Sequence, residues 1–432
     1  MSKSIIELKP AQERAILVGA PIKRSNARHH VTEHLEELER LADTAGAVVV
    51  GILTQQLDRP DSATYIGKGK VEELKALLVE KEATVVIFDD ELTPAQGKNL
   101  EGDLGKRVID RAELILDIFA VRARSAEARM QVELAQLEYS LPRLVRMWTH
   151  LEKFRGGIGV RGPGETQLET DRRLVGHRIR LLKERLVDVT KTREVQRAGR
   201  TGSFRAALVG YTNAGKSSIL RGISGASDIF VEDRLFATLD PLTREIDLGE
   251  HQSVLLTDTV GFIRKLPHHL VASFRATLEE VRETDLLLHV IDASHPSWEE
   301  QRLVVDDVLA ELGAGEIPLV HVFNKMDALP PEQRTALEER IANLAPGSAF
   351  VSALTSEGLD PLRETLRAAL RARRPEVELL LPLTDGKLIA EVHRLGESVT
   401  VVADAEEGVM RVRGRFAAAD LGRLERDGAT RA

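Results

Sequence analysis

The sequence contains no cysteine. Disulfide bridges, cysteine-ligated zinc ribbons, iron–sulfur clusters and thiol nucleophiles are therefore excluded, and chemistry must come from oxygen and nitrogen groups. Aromatic residues make up only 4% of the chain, so a stacking platform for unpaired bases is not expected. No run of about 18 uncharged apolar residues occurs, and we predict neither a membrane span nor an export signal. These absences fit a protein of the reducing cytoplasm.

What is present is an ordinary folding composition with an uneven distribution of charge. The 432 residues are 43% hydrophobic and 30% charged, which predicts a soluble chain of roughly two to four domains. The net charge of −8 hides one basic segment, because residues 121–200 carry 18 lysines and arginines against 10 acidic residues. Lysine and arginine in such excess are typical of surfaces that bind phosphate backbones.

Changes of pattern along the chain predict four parts. Apolar runs at 16–20, 47–53 and 83–89 alternate with helical patterns, which indicates a small α/β sheet. The predicted parts are an amino-terminal α/β domain (1–125), a basic helical hairpin (126–198), a long α/β domain (199–373) and a small βαββα domain (374–432).

The basic segment reads as two amphipathic helices around a break. Apolar residues recur at heptad spacing, first at Met130, Leu134, Leu137, Leu141, Leu144, Trp148 and Leu151, then from Leu168 to Val189. The glycine-rich run at 155–164 must break the helix between them, which predicts an antiparallel hairpin with an exposed tip. The candidate RNA contacts at the tip are Arg155, Gly156, Gly157, Arg161 and Gly162. The alternative is a structural arm whose charged faces are merely solvated.

A phosphate-binding loop is predicted at 210–217. Its sequence, GYTNAGKS, matches GxxxxGK[ST], follows an apolar strand and precedes a helical pattern, as such a loop requires. Backbone amides would hold the α and β phosphates, Lys216 would reach the β and γ oxygens, and Ser217 would ligate magnesium. The predicted nucleotide contacts here are Gly210, Tyr211, Thr212, Asn213, Ala214, Gly215, Lys216, Ser217 and Ser218.

Three further motifs follow in a fixed order, each after a strand-like run. DTVG at 258–261 supplies Asp258 for the water shell of magnesium, then Thr259 and Val260, and the Gly261 amide for the γ phosphate. In NKMD at 324–327, Asp327 can accept hydrogen bonds from the N1 and N2 groups of guanine, which adenine lacks, beside Asn324, Lys325 and Met326. SAL (Ser352, Ala353, Leu354) offers an amide to the guanine oxygen. Singly each suits a strand-end turn, but together they predict a GTP site.

The chain as a whole resembles a known family. Residues 205–373 look like a GTPase domain of the translation-factor-related class. Through RGGIGVRGPGETQLETDRR at 155–173, FATLDPLTR at 236–244 and DTVGFIRKLP at 258–267, nearly all of the chain is similar to the HflX family of ribosome-associated GTPases. The resemblance implies a multidomain α/β fold in which the GTPase domain has a mostly parallel six-stranded sheet.

The same resemblance implies roles for further residues. Thr238 would be the switch I threonine, which closes on magnesium and the γ phosphate in the GTP state, within a contacting segment made of Phe236, Ala237, Thr238, Leu239 and Asp240. The catalytic set implied is Lys216, Thr238 and Gly261, and the magnesium set is Ser217, Thr238 and, through water, Asp258. Residues 225–243 and 261–270 would be two mobile switches.

Two details bear on hydrolysis. Phe262 stands where many signalling GTPases carry the glutamine that orients the attacking water. We therefore expect slow hydrolysis that a partner stimulates strongly, since a group supplied in trans can be worth roughly 10³ to 10⁵ in rate. Asn213 resembles the asparagine with which some GTPases hold a potassium ion against the phosphates, although it could also satisfy its own turn.

The residues alone lead to a nucleotide switch with a basic arm. The family resemblance extends this to a cytoplasmic, partly ribosome-associated GTPase, monomeric when free, whose partner is the large ribosomal subunit with its ribosomal RNA. Its implied outcome is the splitting or rescue of stalled ribosomes under stress. Two alternatives stay open: a scaffold in which turnover is incidental, and a signalling GTPase that acts on protein partners. HflX-like proteins have been linked to ATP use, so an adenine nucleotide site in the amino-terminal domain also stays open.

Overall fold

The computed structural model describes residues 12–23, 30–147, 163–198, 203–226, 231–249, 252–266, 281–355, 357–373, 376–404, 408–416 and 418–432. The chain divides into two compact units, each taken by itself below. The first contains the residues up to Thr192 together with Glu232–Asp240 and Arg264–Ala276, and the second contains the rest.

The first unit is built on a parallel four-stranded sheet of order β2-β1-β3-β4. Its strands are β1 (Arg14–Gly19), β2 (Val48–Thr54), β3 (Val85–Phe88) and β4 (Arg107–Asp110), and its helices are α1 (Val31–Thr44), α2 (Lys68–Glu80), α3 (Pro94–Leu104) and α4 (Arg111–Arg122). The predicted α/β alternation is confirmed. Strand β4 was not predicted, because four residues are too few to show a period.

Two long helices follow, α5 (Ala126–Met147) and α6 (Pro163–Ala198). Helix α5 packs on α3 and α4, and it buries Ala128, Val132, Ala135 and Tyr139, a face that the heptad seam did not predict. Of the described seam residues in α5 only Leu134 is buried. The reason is that α5 extends the helical layer over the first sheet, so its small residues face α4. Ion pairs of 2.6 Å and 2.7 Å, Arg178 with Glu133 and Lys183 with Glu138, join α6 to α5.

The second unit contains a six-stranded sheet of order β10-β9-β8-β5-β7-β6, in which only the pairing of β6 with β7 is antiparallel. Its strands are β5 (Phe204–Gly210), β6 (Leu242–Gly249), β7 (Gln252–Asp258), β8 (Leu286–Asp292), β9 (Leu319–Asn324) and β10 (Ala349–Phe350), with helices α7 (Lys216–Ser224), α8 (Trp298–Glu311), α9 (Pro331–Leu344) and α10 (Asp360–Arg373). The predicted mostly parallel six-stranded sheet is confirmed.

The chain ends in an antiparallel sheet of order β12-β13-β11-β14. It comprises β11 (Glu376–Pro382), α11 (Gly386–Leu395), β12 (Glu397–Asp404), β13 (Val409–Arg415), α12 (Ala418–Arg426) and β14 (Thr430–Arg431). The predicted βαββα order is present, with one short strand added at its end. None of the described helices combines the length and hydrophobicity needed to cross a membrane. The division into four domains stays a prediction.

Candidate functional site

The loop between β5 and α7 has the geometry of an anion cradle. Strand β5 ends at Gly210 and α7 begins at Lys216. Gly215, the residue before α7, has φ of 97°, a left-handed conformation that side chains rarely adopt. A Cβ at that position would collide with the Asn324 amide. The chain therefore turns tightly and presents the amino end of α7 to the loop, where amide groups and the helix dipole favour phosphate.

Lys216 is held inside this loop. Its side chain is buried, and Nζ donates to the carbonyl oxygens of Gly210 (3.1 Å) and Tyr211 (2.8 Å). Burial lowers the pKa of Lys216 to about 8, although the nearby Asp258 carboxylate raises it. The ammonium is thus charged at neutral pH, and its hydrogen-bond partners among the described residues are neutral carbonyls, which phosphate oxygens can replace.

Ser217 and Asp258 form a pair of oxygen groups next to the loop. Ser217, in the first turn of α7, donates from Oγ to Oδ2 of Asp258 at the end of β7, at 2.6 Å. Thr259 then donates its hydroxyl to the Leu208 carbonyl at 2.7 Å, which fixes the chain after Asp258. A hydroxyl and a carboxylate are hard oxygen ligands of the kind magnesium prefers, so this donor set fits that ion.

The backbone after Asp258 lies against the phosphate loop. Phe262 N–H donates to the Gly210 carbonyl at 3.1 Å, and Thr212 N–H donates to the Phe262 carbonyl at 2.7 Å. A Cβ on Gly261 would lie 2.6 Å from the Cα of Thr212, so only glycine fits there. The Phe262 side chain is 2% exposed. It lies in the interior and has no polar atom with which to orient a water molecule.

Asn324 ties three of the four motifs together. Its Nδ2 donates to the Ala214 carbonyl of the phosphate loop at 2.9 Å, and its Oδ1 accepts from the Ala353 N–H at 3.2 Å. The side chain is buried, and loss of either partner would leave a polar group unpaired there. The NKMD asparagine therefore positions the phosphate loop and the SAL segment at once.

The predicted base-reading residues lie next to Asn324. Ser352 Oγ donates to Asp327 Oδ1 at 2.5 Å, which orients the carboxylate. Lys325 Nζ forms an ion pair with Asp292 Oδ2 at 2.7 Å. Sequence reasoning missed Asp292. Asp292 ends β8 in register with Asn324. An aspartate at the end of a predicted strand was the sequence feature that could have indicated a partner for Lys325.

The second unit thus brings together most of the predicted nucleotide residues. These are Gly210–Ser218, Asp258–Gly261, Asn324–Asp327 and Ser352–Leu354. Phe236, Ala237, Thr238, Leu239 and Asp240 lie in the first unit instead. Their assignment to the nucleotide stays a prediction.

In the first unit, residues 232–240 are held by α4 and the start of α5. The Phe236 ring meets the Phe119 ring edge to face, with centroids 4.7 Å apart. The Asp240 carboxylate accepts from the N–H groups of Arg124 (3.0 Å) and Ser125 (3.1 Å) and from the Ser125 hydroxyl. Ser125 Oγ in turn accepts from the Ala128 N–H at 3.0 Å. Asp240 therefore sits where the dipole of α5 favours negative charge.

The residues that follow DTVGFI are held by acidic groups of the same unit. Lys265 Nζ lies 2.5 Å from Asp89 Oδ2 and 2.6 Å from Asp90 Oδ1. Arg264 lies 3.8 Å from Glu37. Asp89 also pairs with Arg111 at 2.8 Å. Burial would raise the pKa of Asp89, but Arg111 and Lys265 together hold it below its ordinary value.

The candidate RNA contacts Arg155, Gly156, Gly157, Arg161 and Gly162 lie outside the described residues. So do the parts of the two predicted switches at 227–230 and 267–270. These assignments stay predictions.

Comparisons with known proteins agree with this geometry. Three family models match the chain: GTP-binding GTPase N-terminal (residues 32–120), GTP-binding GTPase Middle Region (122–200) and 50S ribosome-binding GTPase (205–325). The third covers the phosphate loop, DTVG and the first residues of NKMD.

Curated relatives match over most of their length. The GTPase HflX of Caldanaerobacter subterraneus subsp. tengcongensis is 49% identical over 87% of this chain and 85% of that protein. The GTPase HflX of Magnetococcus marinus is 46% identical over 98% of this chain and 96% of that protein. The GTPase HflX of Escherichia coli K12 is 44% identical over 91% of this chain and 92% of that protein.

Proposed function

The chain belongs to the HflX family of GTPases, and we propose that it is a GTP-controlled switch that binds the large ribosomal subunit and splits or rescues ribosomes stalled under stress. The observation that carries the proposal is the position of the segments next to the GTPase motifs in sequence. Residues 232–240 and 264–265 belong to the first unit, where they are bonded to α4, to the start of α5 and to the residues after β3.

We assign nucleotide binding to groups that hydrogen bonds of the phosphate loop and its neighbours already hold in place. The triphosphate would take the loop amides and the Lys216 ammonium, which exchanges its two carbonyl partners for phosphate oxygens. Ser217 and Thr238 would hold magnesium directly and Asp258 would hold it through water, and the ion would supply charge neutralisation for the β and γ oxygens. The Gly261 amide would donate to the γ phosphate. Asp327 would select guanine through the N1 and N2 groups.

Hydrolysis should be slow until a partner binds. The residue after Gly261 is Phe262, and its buried phenyl ring has no polar atom with which to position water. The attacking water would then need a backbone group, a cation or a partner. Asn213, with φ of 62° at the loop, is the residue through which potassium would act. Equal turnover in sodium and potassium would remove the potassium part, and fast turnover by the isolated protein would remove the need for a partner.

We propose that the Asp240 carboxylate transmits changes in switch I to helix α5. Thr238, which would close on the γ phosphate, is two residues from Asp240, whose carboxylate holds the first residues of α5. Glu232 at the other end of the segment pairs with Arg122 at 2.6 Å. A shift of residues 232–240 on loss of the γ phosphate would therefore act on α5, the first helix of the basic arm.

A second path would run through the residues after Gly261. Arg264 and Lys265 follow Gly261 by three and four positions and are paired with Glu37, Asp89 and Asp90. Asp89 is buried and also holds Arg111. Movement of this segment would break an ionic cluster around the buried Asp89 carboxylate. We therefore expect the segment to switch between two discrete conformations, with the ion pairs formed or broken, rather than to shift gradually.

The partner is inferred from charge and from the family. Helix α6 exposes several basic side chains, among them Arg172, Arg173, Arg180 and Arg185. Exposed basic groups suit phosphates of ribosomal RNA, and the matching family model is described as a 50S ribosome-binding GTPase. The tip at 155–164 would enter the large subunit near the peptidyl-transferase region. Salt should weaken this binding steeply.

Removal of residues 156–164 tests the proposal. The shortened protein should bind GTP as before but fail to split ribosomes. Unchanged splitting would exclude any role of the tip. If binding to ribosomes proved insensitive to salt and to nucleotide, a scaffold or a switch acting on protein partners would be the better account.

A further inference from the structure

Three side chains of the second unit serve neither the nucleotide site nor the switch segments. His289 lies on β8, His321 lies on the adjacent strand β9, and Asp306 lies on α8. His289 and His321 are paired in register on parallel strands, so both rings lie on one face of the sheet, with centroids 5.5 Å apart. Asp306 approaches them from α8.

The ligand atoms are at metal-site distances. Atoms of the three side chains that could bind a metal all lie within 4.8 Å of one another. His289 Nδ1 lies 3.4 Å from Asp306 Oδ1. Tetrahedral zinc bonds of about 2.0–2.2 Å place neighbouring ligand atoms roughly 3.4 Å apart. The observed His289–Asp306 separation equals the one expected for two ligands of a shared ion, and the other ligand atoms lie within 4.8 Å.

The burial of His289 is a second observation. Its side chain is 1% exposed, and its Nδ1 forms no hydrogen bond of good geometry with the described residues, although Asp306 Oδ1 lies 3.4 Å away. A buried polar atom is almost always satisfied by a protein group, a water or an ion. The second oxygen of Asp306 faces Arg302 Nη1 at 3.4 Å. Arg302 thus orients the carboxylate so that Oδ1 is directed towards the histidines.

We propose that His289, Asp306 and His321 form a binding site for a divalent transition metal, zinc by ligand type, with a fourth position for water. Two imidazole nitrogens and one carboxylate favour zinc, cobalt or copper over magnesium. The ion would fasten α8 to β8 and β9. It would be distinct from the magnesium ligands Ser217 and Asp258, and it would be structural rather than a participant in GTP hydrolysis.

The test is a titration of metal-free full-length protein with cobalt(II), with magnesium and GDP present in excess to fill the nucleotide site. The site predicts one bound cobalt per chain with the intense visible bands of tetrahedral coordination, displaced by zinc, and a rise in Tm when zinc is added. The variants H321A and D306N should lose the bands and the Tm rise. H393A, which removes an exposed histidine of α11, should keep both.

Three outcomes would overturn the site: no tetrahedral spectrum, a spectrum that survives in H321A and D306N, or one that H393A also abolishes. GDP binding, followed separately by calorimetry, shows that each variant is folded. It also separates failure of the metal site from failure of the GTPase assignment, because loss of the cobalt bands with GDP binding intact concerns only the metal.

Discussion

The nucleotide-binding motifs and the segments that follow them are held in different ways. The phosphate loop depends on backbone groups and on contacts a few residues apart, such as Lys216 with Gly210 and Tyr211. The segments at 232–240 and 264–266 depend on side chains far away in sequence, because Asp240 bonds Ser125 and Lys265 bonds Asp89. Contacts between residues close in sequence form the phosphate loop, a feature common to GTPases. Contacts between residues distant in sequence determine which other part of the protein responds to the bound nucleotide.

The largest effect should come from Lys216. The variant K216A removes the ammonium that the loop carbonyls hold, and GTP turnover should fall by at least about 100-fold, since one preorganised charge-stabilising group is commonly worth that much. The fold should survive, because the ammonium bonds only backbone carbonyls of its own loop. K387A, at an exposed position of α11, is the control. Turnover within a few-fold of wild type in K216A would contradict the assigned site.

The base-reading carboxylate should come next. In D327N the two hydrogen bonds from guanine meet an amide, and GTP affinity should fall roughly 10- to 100-fold for the loss of charge-assisted bonds. The new amide donor suits the carbonyl at C2 of xanthine, so xanthosine triphosphate should bind the variant better than GTP does. Calorimetry with both nucleotides measures this, with D360N as control. An unchanged preference for GTP would show that another group reads the base.

Lys265, which follows DTVGFI, is held by ion pairs with Asp89 and Asp90. K265A removes one of the basic groups that pair with the buried Asp89 and leaves Arg111 and the more distant His34. The free energy of unfolding at neutral pH should fall by about 1–3 kcal/mol. Because the folded pKa of Asp89 is depressed, its contribution is present above its unfolded pKa and is lost as pH falls through the folded pKa. The deficit of K265A should therefore shrink in acid. Denaturant unfolding of K265A and of the control K68A across pH measures this deficit. A deficit that grows in acid would contradict the Lys265–Asp89 pairing.

The switch I anchor should have a smaller effect on stability and a specific effect on coupling. D240A removes the anion at the start of α5 and should lower the free energy of unfolding by about 1 kcal/mol, as loss of a helix cap does. Binding to ribosomes should no longer differ between GTP and GDP. D233A is a matched control, because the Asp233 side chain on the same segment is 90% exposed. A D240A protein that still distinguishes the nucleotides would break the link to α5.

The smallest expected effect is a pH dependence of nucleotide affinity. The pKa of Lys216 is lowered to about 8 before phosphate binds, and bound phosphate favours the charged form. Affinity for GTP should therefore weaken as pH rises through that value, by no more than about tenfold per pH unit. Dissociation constants for wild type and K216A should diverge below that pH and converge above it. A GTP affinity that increases with pH would contradict the assignment of Lys216 as a group that is protonated when phosphate binds.

The motifs were predictable from the sequence because each is short and stands at a strand end. Gly215, Ser217 and Asp258 lie where the pattern predicts, since a strand, a tight turn and a helix leave little freedom. Asn324 ends its strand as the pattern predicts, and its side chain donates to the Ala214 carbonyl of the phosphate loop.

What the sequence did not reveal depends on tertiary pairing. Nothing in FATLD indicates that Phe236 packs on Phe119 and that Asp240 holds Ser125, because the partners lie on a helix layer over a hundred residues earlier. The heptad pattern of α5 also concealed its second buried face, formed by Ala128 and Val132. Small residues carry little weight in a periodicity, yet they allow the closest helix packing.

Sedimentation of the full-length protein with purified large ribosomal subunits, loaded either with a non-hydrolysable GTP analogue or with GDP, tests the central claim most directly. If GTP controls docking, the protein pellets with the subunits in the GTP-analogue state and stays largely in the supernatant with GDP. Equal pelleting with both nucleotides, or none with either, would contradict it.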